Sequence, residues 1–416
     1  MPFHGFLTVW GSSLIGHYLA LRLWKEFLLV FCVLGVLYLW IFDHKIRTHT
    51  LSRLLVLLIL TYIGIELIWG VVAYEGHAVT LKALGYGWIV DLRLPIFFLV
   101  SWSVALRLSR LRNRWQWLIA WPAAVVVLFG LLQAFVLPHD FLKHFGYGPN
   151  TIPVIETINN NPNYIRIAST LRGADPLGAY LLIPISLFCV QLVSSKRSWR
   201  QLILLAASLV VLFYSNSRSA WIGAVISIAI VVFLSIHSQK IRKAIAVSVA
   251  GLLVVMAGIF AAFHNNTTFQ NYIFHTQHNS TIKTTSDEQH AAAIKNGLND
   301  LVHHPLGSGP GTSGPASYYN KGHPQREPEN FYIEIGQEIG WIGLIIFILI
   351  NVGVGYLLWL RRSDPLALCL LASFVGITFI NMLQPAWADD TLAYVWWGLA
   401  GLAMTPLPEK LKHGKA

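Results

Sequence analysis

The sequence predicts an all-α fold: a polytopic transmembrane bundle of about eleven helices, or twelve if the first apolar stretch also crosses, with one large outer-face loop containing short helices. Three observations predict it. The first is composition: 55% of the 416 residues are hydrophobic, 12% are charged and mean hydropathy is +0.57, whereas a soluble domain carries about 25% charged residues. The second is the recurrence of apolar runs long enough to cross a bilayer. The third is the sidedness of the basic residues between those runs.

The runs fall at roughly 26–43, 54–74, 92–108, 117–137, 175–194, 201–214, 220–237, 243–263, 332–360, 365–383 and 391–406. The run at 332–360 is long enough to tilt strongly or to begin above the membrane. Residues 6–21 are apolar but short, which suits an interfacial helix. With alternating spans, the basic sets all fall on one side: Lys45 and Arg47; Arg107, Arg110, Arg112 and Arg114; Lys196, Arg197 and Arg200; Lys240, Arg242 and Lys243; Arg361 and Arg362; Lys410, Lys412 and Lys415. That agreement supports the span count and assigns these loops to the cytoplasm. It also accounts for the net charge of +11 without nucleic acid, because the basic residues form no stripe. The same parity puts the N-terminus outside and would hold with a further pair of spans upstream. The first residues lack the basic n-region of a cleavable signal peptide. Cys32, Cys189 and Cys369 lie inside apolar runs and read as small core hydrophobes.

Three segments fall on the outer side: residues 138–174, the turn around Arg218, and residues 264–331. They divide the chain into a membrane part at 1–263, a large outer loop at 264–331 and a C-terminal membrane part at 332–416. Within the outer loop, Ala291, Ile294, Leu298 and Leu301 are spaced as on one helix face, with Ser286 as a candidate cap and Gln289 three residues on. His303-His304-Pro305 ends that helix. The run Gly307-Ser308-Gly309-Pro310-Gly311-Thr312-Ser313-Gly314-Pro315 fits neither helix nor strand. It lacks the Gly-Lys-Ser/Thr of a phosphate loop, so it lets backbone pass close to a substrate or another helix.

Arg218 is the leading candidate for chemistry. It sits in Asn216-Ser217-Arg218-Ser219, which joins two apolar runs with almost no loop. A charge at that depth is costly unless an anion or a water-filled cavity receives it, and a guanidinium grips phosphate oxygens in pairs. The bland alternative is an arginine that snorkels to the interface. Arg166 and Arg172 lie just before the span that starts near Asp175, and they either pair with that carboxylate or contact an anionic substrate. Glu329 and Asn330 open the long run, where a carboxylate and an Asn suit a helix start in any case. Glu329 is also a candidate general base, with Glu338 deeper on the same run. Glu66, inside the second run, falls under the general rule that intramembrane carboxylates are functional, but nothing near it names a role. The outer histidines His264, His275, His278, His290, His303, His304 and His323 show no second ligand set of catalytic spacing, so no metal and no cofactor is expected. Asn265-Asn266-Thr267 and Asn279-Ser280-Thr281 match the short glycosylation pattern.

The layout resembles the O-antigen ligase family, which also contains O-antigen polymerases. The resemblance covers most of the chain and rests on four segments in order. These are Arg166 to Gly178 entering a mid-chain span, the Ser217-Arg218 turn, His304 to Gly311 after an outer helix, and Glu329-Asn330 running to Glu338-Ile339-Gly340-Trp341-Ile342-Gly343. Two departures stand out. The family's usual His before Asn is Glu329 here, and His290 is nearest to the position of its outer-helix Arg. A carboxylate can also take a proton from a sugar hydroxyl, and His323 is the alternative base.

The resemblance implies a metal-independent, inverting glycan transferase of the bacterial cytoplasmic membrane, working on its outer face. The donor would be a glycan on undecaprenyl pyrophosphate and the acceptor a glycan, lipid or protein. Arg218, Arg172, Arg166 and His290 would hold the pyrophosphate, Glu329 or His323 would act on the acceptor, and Asn330 and Glu338 would support the site. A polymerase, a transporter of the same lipid-linked glycan and a membrane scaffold are the alternatives.

Overall fold

The computed structural model describes residues 1–158, 161–194, 199–235 and 286–406, with isolated positions between 258 and 270. The expected span at 243–263, His264, His275, His278, the two Asn-x-Ser/Thr matches and the basic sets around 196, 240 and 410 fall almost entirely outside these residues. The helices that build the bundle are α1 (His4–Ile15), α2 (Trp24–Phe42), α3 (Leu54–Glu75), α4 (Leu81–Arg107), α5 (Trp115–Phe135), α6 (Ala174–Ser194), α7 (Trp199–Tyr214), α8 (Arg218–Ser235), α9 (Ser286–His303), α10 (Phe331–Leu360), α11 (Pro365–Asn381) and α12 (Asp390–Ala403). Seven stretches are long and apolar enough to cross a bilayer, namely Tyr18–Phe42 and the helices α3, α4, α5, α6, α8 and α10; α7 and α11 are shorter apolar helices. The only strands among the described residues are β1 (Glu156–Thr157) and β2 (Ile165–Arg166), antiparallel with Glu156 opposite Arg166.

The packing of these helices follows their surroundings. Only Lys25 and Val36 are buried in α2, while Phe27, Phe31, Leu34, Tyr38 and Ile41 are exposed. Such an apolar face is stable against lipid and a liability in water. Helix α6 is the opposite: every residue from Leu177 to Val190 is buried, as expected of a helix surrounded by others. It packs on α7, α8 and α11, and α12 lies along α4. Helix α4 begins at Leu81, about three turns earlier than the apolar run expected from residue 92. Its early part carries Gly85, Gly87 and Asp91, which dilute the hydropathy, and of these Gly87 and Asp91 face protein and are buried.

Helix α10 is broken at Ile339 and Gly340, whose backbone leaves the helical region. The break resolves the length of this run. Trp341 to Leu360 is 20 residues, about 30 Å of helix, a spanning length, and Phe331 to Glu338 forms a separate short helix before it. A break leaves carbonyls and amides without helical partners, which apolar surroundings do not tolerate. Residues 305–309 supply the partners. Ser308 N donates to Gln337 O at 2.8 Å, Gly309 N donates to Glu338 O at 2.7 Å and Trp341 N donates to Pro305 O at 3.0 Å. The Glu338 carboxylate accepts from Gly311 N at 2.8 Å and Ser313 N at 3.1 Å. The glycine-rich run is therefore a seal over the break. Gly311 has φ +87° and lies so close to α4 that a Cβ there would stand 2.3 Å from Ala83 O.

The two ends of the bundle differ in chemistry. At one end the α4–α5, α10–α11 and post-α12 connections meet: Arg112 pairs with Asp364, and Arg361 donates to Ala403 O at 2.6 Å and Thr405 O at 3.1 Å. This is the basic end. At the other, Ile167 N donates to Tyr214 O at 3.2 Å, Thr80 N donates to Asn320 Oδ1 at 2.9 Å and Asn330 Nδ2 donates to Met382 O at 3.0 Å. These contacts gather the 156–173 loop, the Arg218 turn, the 304–330 segment and the α11–α12 connection.

If the run seals the break, Gly311→Ala should lower the unfolding temperature in detergent, losing about 1 kcal/mol or more to strain and more to the collision with Ala83. Gly322→Ala, at φ +90° with nothing within 4 Å, pays the strain alone. Equal melting temperatures for the two variants would contradict this account.

Candidate functional site

Arg218 occupies the first position of α8, reached through a turn in which Asn216 adopts the left-handed conformation at φ +53°. Tyr214 closes α7, so only Ser215, Asn216 and Ser217, all buried, separate the two helices. A cation at a helix N-terminus opposes the helix dipole, whereas an anion there is favoured by the dipole and by the free amides.

Arg166 holds that turn. Its Nε donates to Ser215 O at 2.9 Å, and its two terminal nitrogens donate to Asp175 at 3.2 and 2.6 Å. Burial works against its charge, but Asp175 outweighs it and keeps the guanidinium above its ordinary pKa. The pairing with Asp175 that the sequence allowed is present, and the same side chain also faces the cavity described next.

A cavity of about 850 Å³ opens beside this turn, with Arg166, Asp175, Arg218, His290, Glu329 and Glu334 among its lining. The volume lies in the range of ligand sites, about 300–1,000 Å³. Residues distant in sequence meet here: Arg218 from α8, His290 from α9 and Glu329 from the approach to α10. His290 Nδ1 lies 3.0 Å from Glu329 Oε2, off the line of a hydrogen bond. Glu329 is half-buried, with φ +52°. Left-handed backbone at a residue other than glycine costs about 1–3 kcal/mol and concentrates at functional sites; Asn216 and Glu329 both line this cavity. Glu329 is not part of the following helix. Asn330 is its cap, with Oδ1 accepting from Tyr332 N at 2.9 Å and Ile333 N at 3.0 Å.

The other expected site residues lie elsewhere. Arg172 lines an adjoining cavity and stands 3.7 Å from Asp390, a buried carboxylate also reached by His4 at 3.0 Å and Lys25 at 2.9 Å. Burial opposes the charge on Arg172, yet Asp390 holds its pKa well above the ordinary value. His323 is exposed and lines neither cavity. Glu338 is buried beneath the glycine-rich run, holding its amides, so it shapes the site from below. Glu66 is fully buried, with neither carboxylate oxygen hydrogen-bonded.

Two groups carry more than the sequence reading gave them. Glu334 is buried, lines the cavity and leaves one carboxylate oxygen without a hydrogen bond. Gly314 makes room for it, since a Cβ there would stand 1.9 Å from Glu334 Oε1. Its place in the first turn of a predicted helix was the available signal. Asp390 went unread because its cationic partners are distant in sequence. Among the described residues, no group of three or more His, Cys, Asp or Glu is arranged to hold a metal ion.

No curated protein matches the chain. Residues 202–348, about a third of the chain, match the family model described as O-antigen ligase. The matched part contains Arg218, His290, His323, Glu329, Asn330 and Glu338, and excludes Arg166 and Arg172. Over that part, on a fold of apolar helices long enough to cross a bilayer, the chain is similar to the O-antigen ligase family.

Proposed function

We propose that the protein transfers a glycan from undecaprenyl pyrophosphate to an acceptor hydroxyl, with inversion at the anomeric carbon and without a metal. The observation that carries this reading is the meeting of Arg218, His290 and Glu329 in one cavity. It joins a group that suits a pyrophosphate to groups that suit a proton.

In this reading the donor pyrophosphate sits against Arg218 and the amides at the start of α8. Arg166, tied to Asp175, keeps the turn in place and adds positive potential. The acceptor oxygen attacks the anomeric carbon as the bond from that carbon to the pyrophosphate oxygen breaks. The hydroxyl proton passes to the Glu329 carboxylate, and the bonding electrons leave on the lipid-linked pyrophosphate. Arg218 stabilises that developing charge, and His290 positions Glu329. Since His323 lies outside the cavity, Glu329 is the base in this scheme. Ile222 and Leu383, exposed apolar residues on the cavity wall, give the polyprenyl tail a lateral route to lipid.

The sidedness of the basic loops supports a cavity on the outer face of the bacterial cytoplasmic membrane. The membrane orientation also argues against a transporter, which needs access from both sides. The acceptor separates ligase from polymerase, and it is read out directly by offering a lipid-core saccharide or a second lipid-linked repeat.

The test is transfer by the purified protein in nanodiscs, with EDTA present. Arg218→Ala should lower kcat by about 10²–10³-fold, as for loss of one donor to a developing anion. Arg218→Lys should recover only part of this, since an ammonium lacks the paired geometry. Full transfer by Arg218→Ala and by Glu329→Gln would end this reading.

The two candidate bases separate in the same assay. Glu329→Gln should lose about 10²–10⁴-fold in kcat, the range of general-base catalysis, and His323→Ala should transfer at close to the wild-type rate. The reverse order would move the base to His323.

A further inference from the structure

The proposed transfer needs two substrates, and two large cavities lie side by side among the described residues. The second, of about 910 Å³, shares Pro176, Pro315, Pro385 and Asp389 with the first. The prolines form a short, rigid ridge, and the Asp389 carboxylate stands at the junction. A group bound in one cavity can therefore reach a group bound in the other.

The chemistry of the second cavity differs from that of the first. Tyr18, Tyr86 and Tyr319 line it. Tyr86 and Tyr319 are neighbours, with ring centroids 5.1 Å apart. The two arginines there are already engaged. Arg22 donates to the Tyr86 hydroxyl and lies over its ring, 5.1 Å from the centroid. Arg172 is paired with Asp390. Glu156 and Asp389 add carboxylates to the same wall. In this cavity both arginines are held by protein groups. It offers apolar ring surface beside hydrogen-bonding groups of both kinds, which suits the C–H faces and hydroxyls of a sugar. Its rim includes the exposed residues Pro149 and Asn150.

On the basis of the transfer reading above, we infer that this second cavity is the acceptor site: it binds the acceptor as a saccharide and presents a hydroxyl across the Pro176–Pro315–Pro385 ridge to the donor held at Arg218. Asp389, at the junction, positions that hydroxyl without taking its proton.

The inference is tested by steady-state transfer with the full chain in nanodiscs, using an undecaprenyl-pyrophosphate-linked repeat as donor. A lipid-core saccharide and a second lipid-linked repeat are offered in turn as acceptor. Tyr319→Ala removes ring surface, and Asn150→Trp blocks the rim from an exposed position that folding tolerates. Both should raise the acceptor KM about tenfold or more while leaving the donor KM and the melting temperature as in wild type. An unchanged acceptor KM in Asn150→Trp with wild-type melting would overturn the inference, as would a rise in donor KM in its place, which would make this cavity the donor's. Absence of transfer by the wild-type protein to either acceptor is a separate outcome, and it counts against the transfer reading itself.

Discussion

Backbone polar groups at membrane depth must find partners, and this constraint organises the structure around α10. The break at Ile339–Gly340 would strand carbonyls in an apolar bundle were residues 305–309 not laid across it. With the Glu338 carboxylate gathering the amides of Gly311 and Ser313, the segment from Pro305 to Ser313 is fixed to α10 and pressed on α4. The short helix above the break then carries Glu334, and its approach carries Glu329, into the same cavity as Arg218. A straight α10 would send those carboxylates elsewhere.

The cavity wall is built in the same way on its other side. Arg166 ties the loop before α6 to the tight turn between α7 and α8 through Ser215 and Asp175. Asp390 ties α1, α2 and the same loop to α12 through His4, Lys25 and Arg172. These buried pairs are weak evidence of stability, because desolvation offsets much of their attraction. Their value is in register: each brings distant segments to one end of the bundle, and the cavities lie where those segments meet.

Much of this was present in the amino-acid sequence. Hydropathy located the described apolar helices because lipid imposes a length and a composition that water does not. Arg218 stood out for a related reason: a charge between two apolar runs is expensive unless an anion or water receives it. The helix at 286–303 was read from the spacing of Ala291, Ile294, Leu298 and Leu301. Other features depend on contacts that no local pattern encodes. The beginning of α4 was missed because Gly85, Gly87 and Asp91 lower the hydropathy, and Gly87 reveals its purpose only against Pro310 and Gly311. The pairing of His290 with Glu329, and the separation of Arg172 and His323 from the Arg218 cavity, come from how α9 and the following segment fold back. The Ile339–Gly340 break was visible only as a run too long for one span.

The central claim is that the cavity at Arg218 receives the donor pyrophosphate. The most direct measurement is a structure of the full chain with undecaprenyl pyrophosphate bound in a nanodisc. The account predicts phosphate oxygens within hydrogen-bonding distance of the Arg218 guanidinium and the first amides of α8, with the prenyl chain leaving past Ile222 and Leu383. Pyrophosphate density in the neighbouring cavity against Arg22 and Arg172, or anywhere remote from Arg218, would contradict it.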